Sequence, residues 1–74
     1  MAKRKGDILI GQRAWEEVIR LFPTMTSAAK AFGCDRKEFN EWYHGRTPGG
    51  MNLARLHYLG GDVIYVLTGK RGGK

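Results

Sequence analysis

The sequence predicts an all-α domain, and three observations carry that reading. Apolar side chains recur at helical spacing: Trp15, Val18, Ile19 and Phe22 lie at i, i+3, i+4 and i+7, and Met25, Ala28, Ala29 and Phe32 repeat the pattern. Start and stop residues punctuate those stripes, with Thr24, Asp35 and Asp62 placed to cap helices and Pro23, Gly33, Gly45 and Gly69 placed to end them. Between Ala29 and Gly33 the spacing suits two short helices that cross closely and are joined by a tight turn.

Taken in order, residues 1–10 read as a basic N-terminal arm carrying Lys3, Arg4 and Lys5, residues 11–69 as the domain, and residues 70–74 as a frayed basic tail. Within the arm, Ile8-Leu9-Ile10 fits a short strand or the first turn of a helix capped by Asp7, and the sequence leaves both open. The first helix is expected from about Gln12 to Phe22. Its apolar stripe faces inward, Arg13, Glu16, Glu17 and Arg20 face solvent, and Glu16 and Arg20 form an i,i+4 pair worth about 0.3 kcal/mol. Pro23 stops it.

The second helix starts after Thr24, with Thr26 as the alternative cap, and stops at Gly33. The third opens on Asp35-Arg36-Lys37-Glu38, a capping-box spacing that assigns Glu38 to the cap. Phe39 and Trp42 point inward from it, and Gly45 ends it. Arg46-Thr47-Pro48-Gly49-Gly50 is a loop. A fourth helix follows from about Met51 to Leu59, with Leu53, Leu56 and Leu59 as core. After Gly60-Gly61, Asp62 can cap a last helix through Val63, Ile64, Val66 and Leu67, although those β-branched residues fit a strand equally well on propensity.

The second and third helices have the grammar of a helix-turn-helix. Ala29 is small where the helices cross, and Gly33 stands where the chain turns with positive φ. Cys34 fills a small apolar slot, and Phe39 and Trp42 anchor the following helix. In a basic chain such a pair usually places its second helix in a DNA major groove.

The bulk numbers agree. The chain has 74 residues, enough for one domain, and 42% hydrophobic residues, enough for a small core but not for an enclosed substrate pocket as well. A net charge of +6 and a pI near 9.9 favour a polyanionic partner, with an anionic membrane surface as the competitor. No apolar run approaches the roughly 20 residues needed to span a bilayer, and Ile8-Leu9-Ile10 is too short for a secretory signal. The single cysteine forbids an internal disulfide and fits a reducing compartment. It has no catalytic partner at a telling spacing. Two histidines and one cysteine make no zinc site, and no phosphate-cradling glycine motif occurs. The expectation is a protein without enzyme activity, metal, cofactor or small-molecule ligand.

From about Gln12 to Gly69 the chain resembles the Cro/repressor helix-turn-helix family, the lambda-repressor-like or XRE-type regulators of phages and prophages. The resemblance rests on Ala29-x-x-x-Gly33, on Phe39 with Trp42, on Trp42-Tyr43-His44-Gly45-Arg46-Thr47-Pro48, and on Gly61-Asp62-Val63-Ile64-Tyr65-Val66-Leu67-Thr68-Gly69. It implies five helices around one core, so the last element is taken as a helix. It also implies a homodimer on a palindromic operator in the cytoplasm of a bacterial host, associated with the nucleoid. Met25 departs from the family, many of whose members place Gln there against a phosphate, and Cys34-Asp35 replaces a common Val-Ser pair. No sensing or self-cleaving domain of the kind larger repressors carry is expected, so the chain looks like a minimal Cro-type switch or a small activator.

On that reading, residues 35–45 enter the major groove. Arg36 and Lys37 can donate to guanine O6 and N7, or to phosphate alone. Asn40 can pair with adenine N6 and N7. Glu41 can accept from cytosine N4 or stand as a solvated charge, and His44 can approach the backbone or simply be exposed. Thr26, Ser27, Arg46 and Gly50 are the phosphate-contacting candidates, helped by helix N-termini. Trp15 and Trp42 are assigned to the core rather than to base stacking, with Tyr43 half exposed. Ile64 and Tyr65 are the dimerisation candidates. Two other functions compete: an antitoxin or antirepressor that uses the same fold on a protein partner, and a non-specific nucleic-acid coat.

Overall fold

The computed structural model describes residues 5–71, and every regular element among them is an α-helix: α1 (Lys5–Leu21), α2 (Met25–Phe32), α3 (Arg36–Tyr43), α4 (Gly50–Tyr58) and α5 (Val63–Thr68). Local chemistry sets most boundaries. Thr24 caps α2 by accepting from the Ser27 amide at 3.1 Å, and Ser27 Oγ accepts in return from the Thr24 amide, which completes a capping box. Gly33 ends α2 at φ 70°. The Ala29 carbonyl accepts from the amides of Gly33 and Cys34, and the Lys30 carbonyl also accepts from Gly33. That arrangement is a Schellman ending, and only glycine adopts its left-handed corner without strain. Asp62 caps α5 through the Tyr65 amide at 2.9 Å.

Several expectations are corrected at the two ends of the chain. α1 begins at Lys5, so residues 5–10 belong to the first helix rather than to an arm, and the strand alternative for Ile8-Leu9-Ile10 falls away. Ile10 packs against the core, which gives those residues a reason to be helical. Lys3 and Arg4 lie outside the described residues, as do residues 72–74. The start of the tail is held in place: Arg71 lies 2.9 Å from Glu17 and 3.8 Å from Asp62, and its guanidinium sits over the Tyr65 ring at 3.9 Å. The chain reaches there because Gly69 turns it back beyond α5.

The core contains Ala14, Val18, Ala28, Ala29, Phe32, Phe39, Trp42, Leu56 and Val66. Its centre is aromatic. Phe32, Phe39 and Trp42 meet edge to face with centroids 5.0–6.1 Å apart, and Phe22 joins at 6.2 Å from Phe32. The expected stripe of α1 is rotated. Val18 is buried, but Trp15 and Phe22 are only partly covered and Ile19 is 44% exposed. Small residues take the inner face instead. A Cβ on Gly11 would lie 2.6 Å from the Trp42 carbonyl oxygen, so this glycine lets α1 cross the end of α3 backbone to backbone. Leu59, expected in the core, sits at the exposed end of α4, because the chain turns away at Gly60.

Glu17 reverses its expected role. It is fully buried rather than solvent-facing, and it joins three segments. Its carboxylate accepts from Arg20 at 2.8 and 3.2 Å, from the Asp62 amide at 2.8 Å and from Arg71 at 2.9 Å. Arg20 therefore pairs with Glu17 rather than Glu16, and Glu16 accepts instead from the Tyr65 hydroxyl at 2.5 Å. Arg13, also expected in solvent, donates to the Val66 carbonyl at 2.9 Å. These bonds fasten α5 to α1. Arg55 fastens α4 to α2 by donating to the Phe32 carbonyl at 2.7 Å. Among the described residues no helix is long and apolar enough to cross a membrane.

Candidate nucleic-acid interface

α3 has two faces of opposite character. Phe39 and Trp42 are fully buried, against α1 and α2. The other side carries Arg36, Lys37, Asn40, Glu41 and His44, all exposed. Helical geometry produces the separation: with Phe39 and Trp42 fixed inward, residues 36, 40 and 44 fall four apart along the outer surface. The anchoring is deep. Besides its ring contacts, Trp42 donates from Nε1 to Glu38 at 3.1 Å, and Asn52 of α4 reaches the same carboxylate oxygen at 3.5 Å.

Glu38 is therefore a bridge between α3 and α4, not the reciprocal half of a cap. Asp35 alone caps α3, accepting from the Lys37 amide at 3.1 Å. The spacing of Asp35 and Glu38 suggested the box, but an indole N–H entering the core needs an acceptor, and Glu38 lies one helical turn from it.

Among the described residues, the side chains of Arg36, Lys37 and Asn40 make no hydrogen bond or ion pair, so their donors are available to an incoming partner. The other two are engaged. His44 Nδ1 lies 2.9 Å from the Asn40 carbonyl oxygen, a contact that a protonated Nδ1 makes as donor at the end of the helix. Glu41 is ion-paired with Arg46. The backbone reinforces that pair: Gly45 turns at φ 104°, and the Arg46 amide donates to the Glu41 carbonyl at 2.9 Å. The Glu41 hydrogen bond and charge raise the Arg46 pKa, with a smaller contribution from the charge of Glu38. Both side chains are exposed, so solvent screens the pair and it adds little to stability.

The phosphate candidates are scattered in state. Thr26 is exposed on the first turn of α2, and Gly50 is exposed at the first position of α4 with open space around it. Ser27 is partly buried, and its hydroxyl donates to the Thr24 carbonyl at 2.8 Å, so the cap already uses it. Arg46 is exposed but held by Glu41. Lys5 opens α1.

Comparison with protein-family models, with curated proteins and with solved structures finds no match.

An aromatic group borders the α3 face. Tyr43, half exposed as expected, packs against Trp15 at 4.7 Å and against His44 at 5.4 Å, and its carbonyl accepts from Gln12 at 3.1 Å. Trp15 is thus a partly covered side chain that packs against the core and braces the end of α3. Cys34 packs against the core, where burial pushes its thiol pKa up, with Glu38 adding to the shift. Of the two dimerisation candidates, Ile64 is 58% exposed, whereas Tyr65 is partly buried between Glu16 and Arg71. Leu67, 48% exposed, is the second outward apolar residue of α5.

Proposed function

We propose that this protein is a sequence-specific double-stranded DNA-binding regulator of transcription that lays α3 in the major groove. The observation that carries the reading is the division of α3: two aromatic residues lock one face into the core, and the opposite face presents Arg36, Lys37 and Asn40 with unused donors. A major groove admits one such helix, and those three side chains match the acceptors of guanine and the mixed edge of adenine. The basic balance of the chain supplies the phosphate term. The three-residue turn from α2 into α3, Gly33-Cys34-Asp35, suits a helix-turn-helix of the Cro/repressor kind.

Two copies on a palindrome complete the proposal. One α3 reads only a few base pairs, and pairing about a two-fold axis sets half-sites one helical turn, about 34 Å, apart. Ile64 and Leu67 on α5 are the surface for that pairing. Tyr65 is left out because its hydroxyl and ring are committed within the chain. A second reading, a protein-binding module of the same shape, draws on the exposed apolar residues Met51 and Tyr58, the latter 86% exposed. Salt separates the two, since phosphate contacts weaken steeply with salt and an apolar contact does not.

Arg36→Ala and Asn40→Ala are expected to erase preference among sequences while the melting temperature stays unchanged, because neither side chain packs within the domain. Each lost bidentate base contact costs about 1–3 kcal/mol. Competition titrations against single-base variants of a selected duplex measure this loss. An Asn40→Ala protein that kept full discrimination at every base position would place the reading face elsewhere.

A further inference from the structure

We propose that Glu41 determines specificity by holding Arg46 away from DNA until a base offers Glu41 a replacement donor. The inference rests on the DNA-binding reading and assigns it a mechanism. Arg46 follows Gly45 immediately after α3, and it is tied to Glu41 twice, amide to carbonyl at 2.9 Å and guanidinium to carboxylate. In a Schellman ending these two positions commonly share an apolar contact. Here the contact is an exposed ion pair on the face that carries Arg36, Lys37 and Asn40. No other acid of α3 can take over, because Glu38 is turned to Trp42 Nε1 and Asn52.

Arg46 is thus a cation already neutralised at the edge of the interface. Moving it to a phosphate exchanges one anionic partner for another and leaves the Glu41 carboxylate without its donor. On a non-cognate duplex nothing replaces that bond, so the pair stays closed. Where the groove presents a cytosine N4 amino group, Glu41 accepts from it and Arg46 is released to the backbone. The phosphate contact then depends on the base, which converts a sequence-blind interaction into a discriminating one. Arg36 and Lys37, without an acidic partner among the described residues, cannot supply this coupling.

The test is a double-mutant cycle with the full chain, its Glu41→Gln and Arg46→Ala variants and the double variant. Each is titrated over a range of salt on two duplexes: the best selected sequence and a scramble of the same length. Glu41→Gln is expected to bind the scramble about three- to tenfold more tightly, with a salt slope steeper by about 0.9, as for one more phosphate contact. Its preference for the selected duplex should fall about tenfold, the worth of one base contact. In the Arg46→Ala background the gain on the scramble should shrink to less than about twofold, because the restrained cation is gone. An equal gain with and without Arg46 would mean that Glu41 merely repels phosphate, and an unchanged affinity and slope would mean that the pair is inert. Either result overturns the proposal while leaving DNA binding intact. Failure of the unsubstituted chain to bind either duplex would instead overturn the DNA-binding reading itself, and this proposal with it.

Discussion

Replacing Trp42 by Ala is expected to destabilise the domain by about 3–5 kcal/mol, the range for deleting a large aromatic side chain from a core. Trp42 is fully buried, its ring meets Phe32 and Phe39 edge to face, and its Nε1 satisfies Glu38. The substitution therefore removes packing at the centre of the molecule and leaves a carboxylate short of a donor. Stability of about 0.05–0.15 kcal/mol per residue is normal for domains, so a chain of 74 residues has little in reserve. In domains of this size 1 kcal/mol shifts the melting temperature by about 4–8 °C, so a fall of at least about 12 °C is expected. Trp42→Phe, which keeps one ring and loses the N–H, should lie between the two proteins. A Trp42→Ala protein that melted with the parent would contradict the placement of α3 on the core, and with it the outward face proposed to read DNA.

The second large effect is acid sensitivity through Glu17. Burial works to raise the pKa of this carboxyl, but the hydrogen bonds from Arg20, the Asp62 amide and Arg71 outweigh it and hold the value at about 2, against an ordinary 4.5. With the folded pKa below the unfolded one, the unfolded chain takes up the proton first. The stabilisation is present above about pH 4.5 and is lost as the pH falls towards 2. At about 1.4 kcal/mol per unit the shift corresponds to about 3 kcal/mol, reduced to about 2–3 because Arg20 and Arg71 are half exposed and partly screened by solvent. Urea midpoints of the parent and of Glu17→Gln, taken from about pH 7 down to about pH 2.5, isolate this group from the other acids. The variant should be weaker near neutrality, and the difference should close with acid. A difference constant over that range would show that Glu17 contributes by shape rather than by charge.

Helix ends were legible in the sequence because they depend on chemistry within one turn. Thr24, Gly33, Asp35, Gly45, Asp62 and Gly69 each carry their signal locally and stand where that signal puts them. The inward pair Phe39 and Trp42 was legible for the same reason, and the outward face of α3 follows from it by geometry. α5 was ambiguous on propensity. Capped by Asp62 and closed by Gly69, with Val66 buried and tied through its carbonyl to Arg13, it is a helix despite its β-branched residues.

What the sequence hid are properties of contacts between distant segments. Counting large apolar residues misplaced the inner face of α1, because close helix crossing selects the small residues Gly11 and Ala14. Nothing near Glu17 in the chain announces that Asp62 and Arg71 will meet it. Glu38 looked like a cap from its spacing, and only the position of the indole shows why it turns inward. The pairing of Glu41 with Arg46 spans five residues, a separation that a straight helix does not bring together and that the turn at Gly45 does.

DNA binding by α3 is tested most directly by a titration of the full chain across salt concentrations, on the duplex enriched from a random pool. The expected result is an enriched palindrome that binds two chains, with log affinity falling linearly against log salt with a slope of several units, as when several phosphates are contacted. A pool that enriches nothing, together with no binding to duplex DNA at low salt, would contradict it.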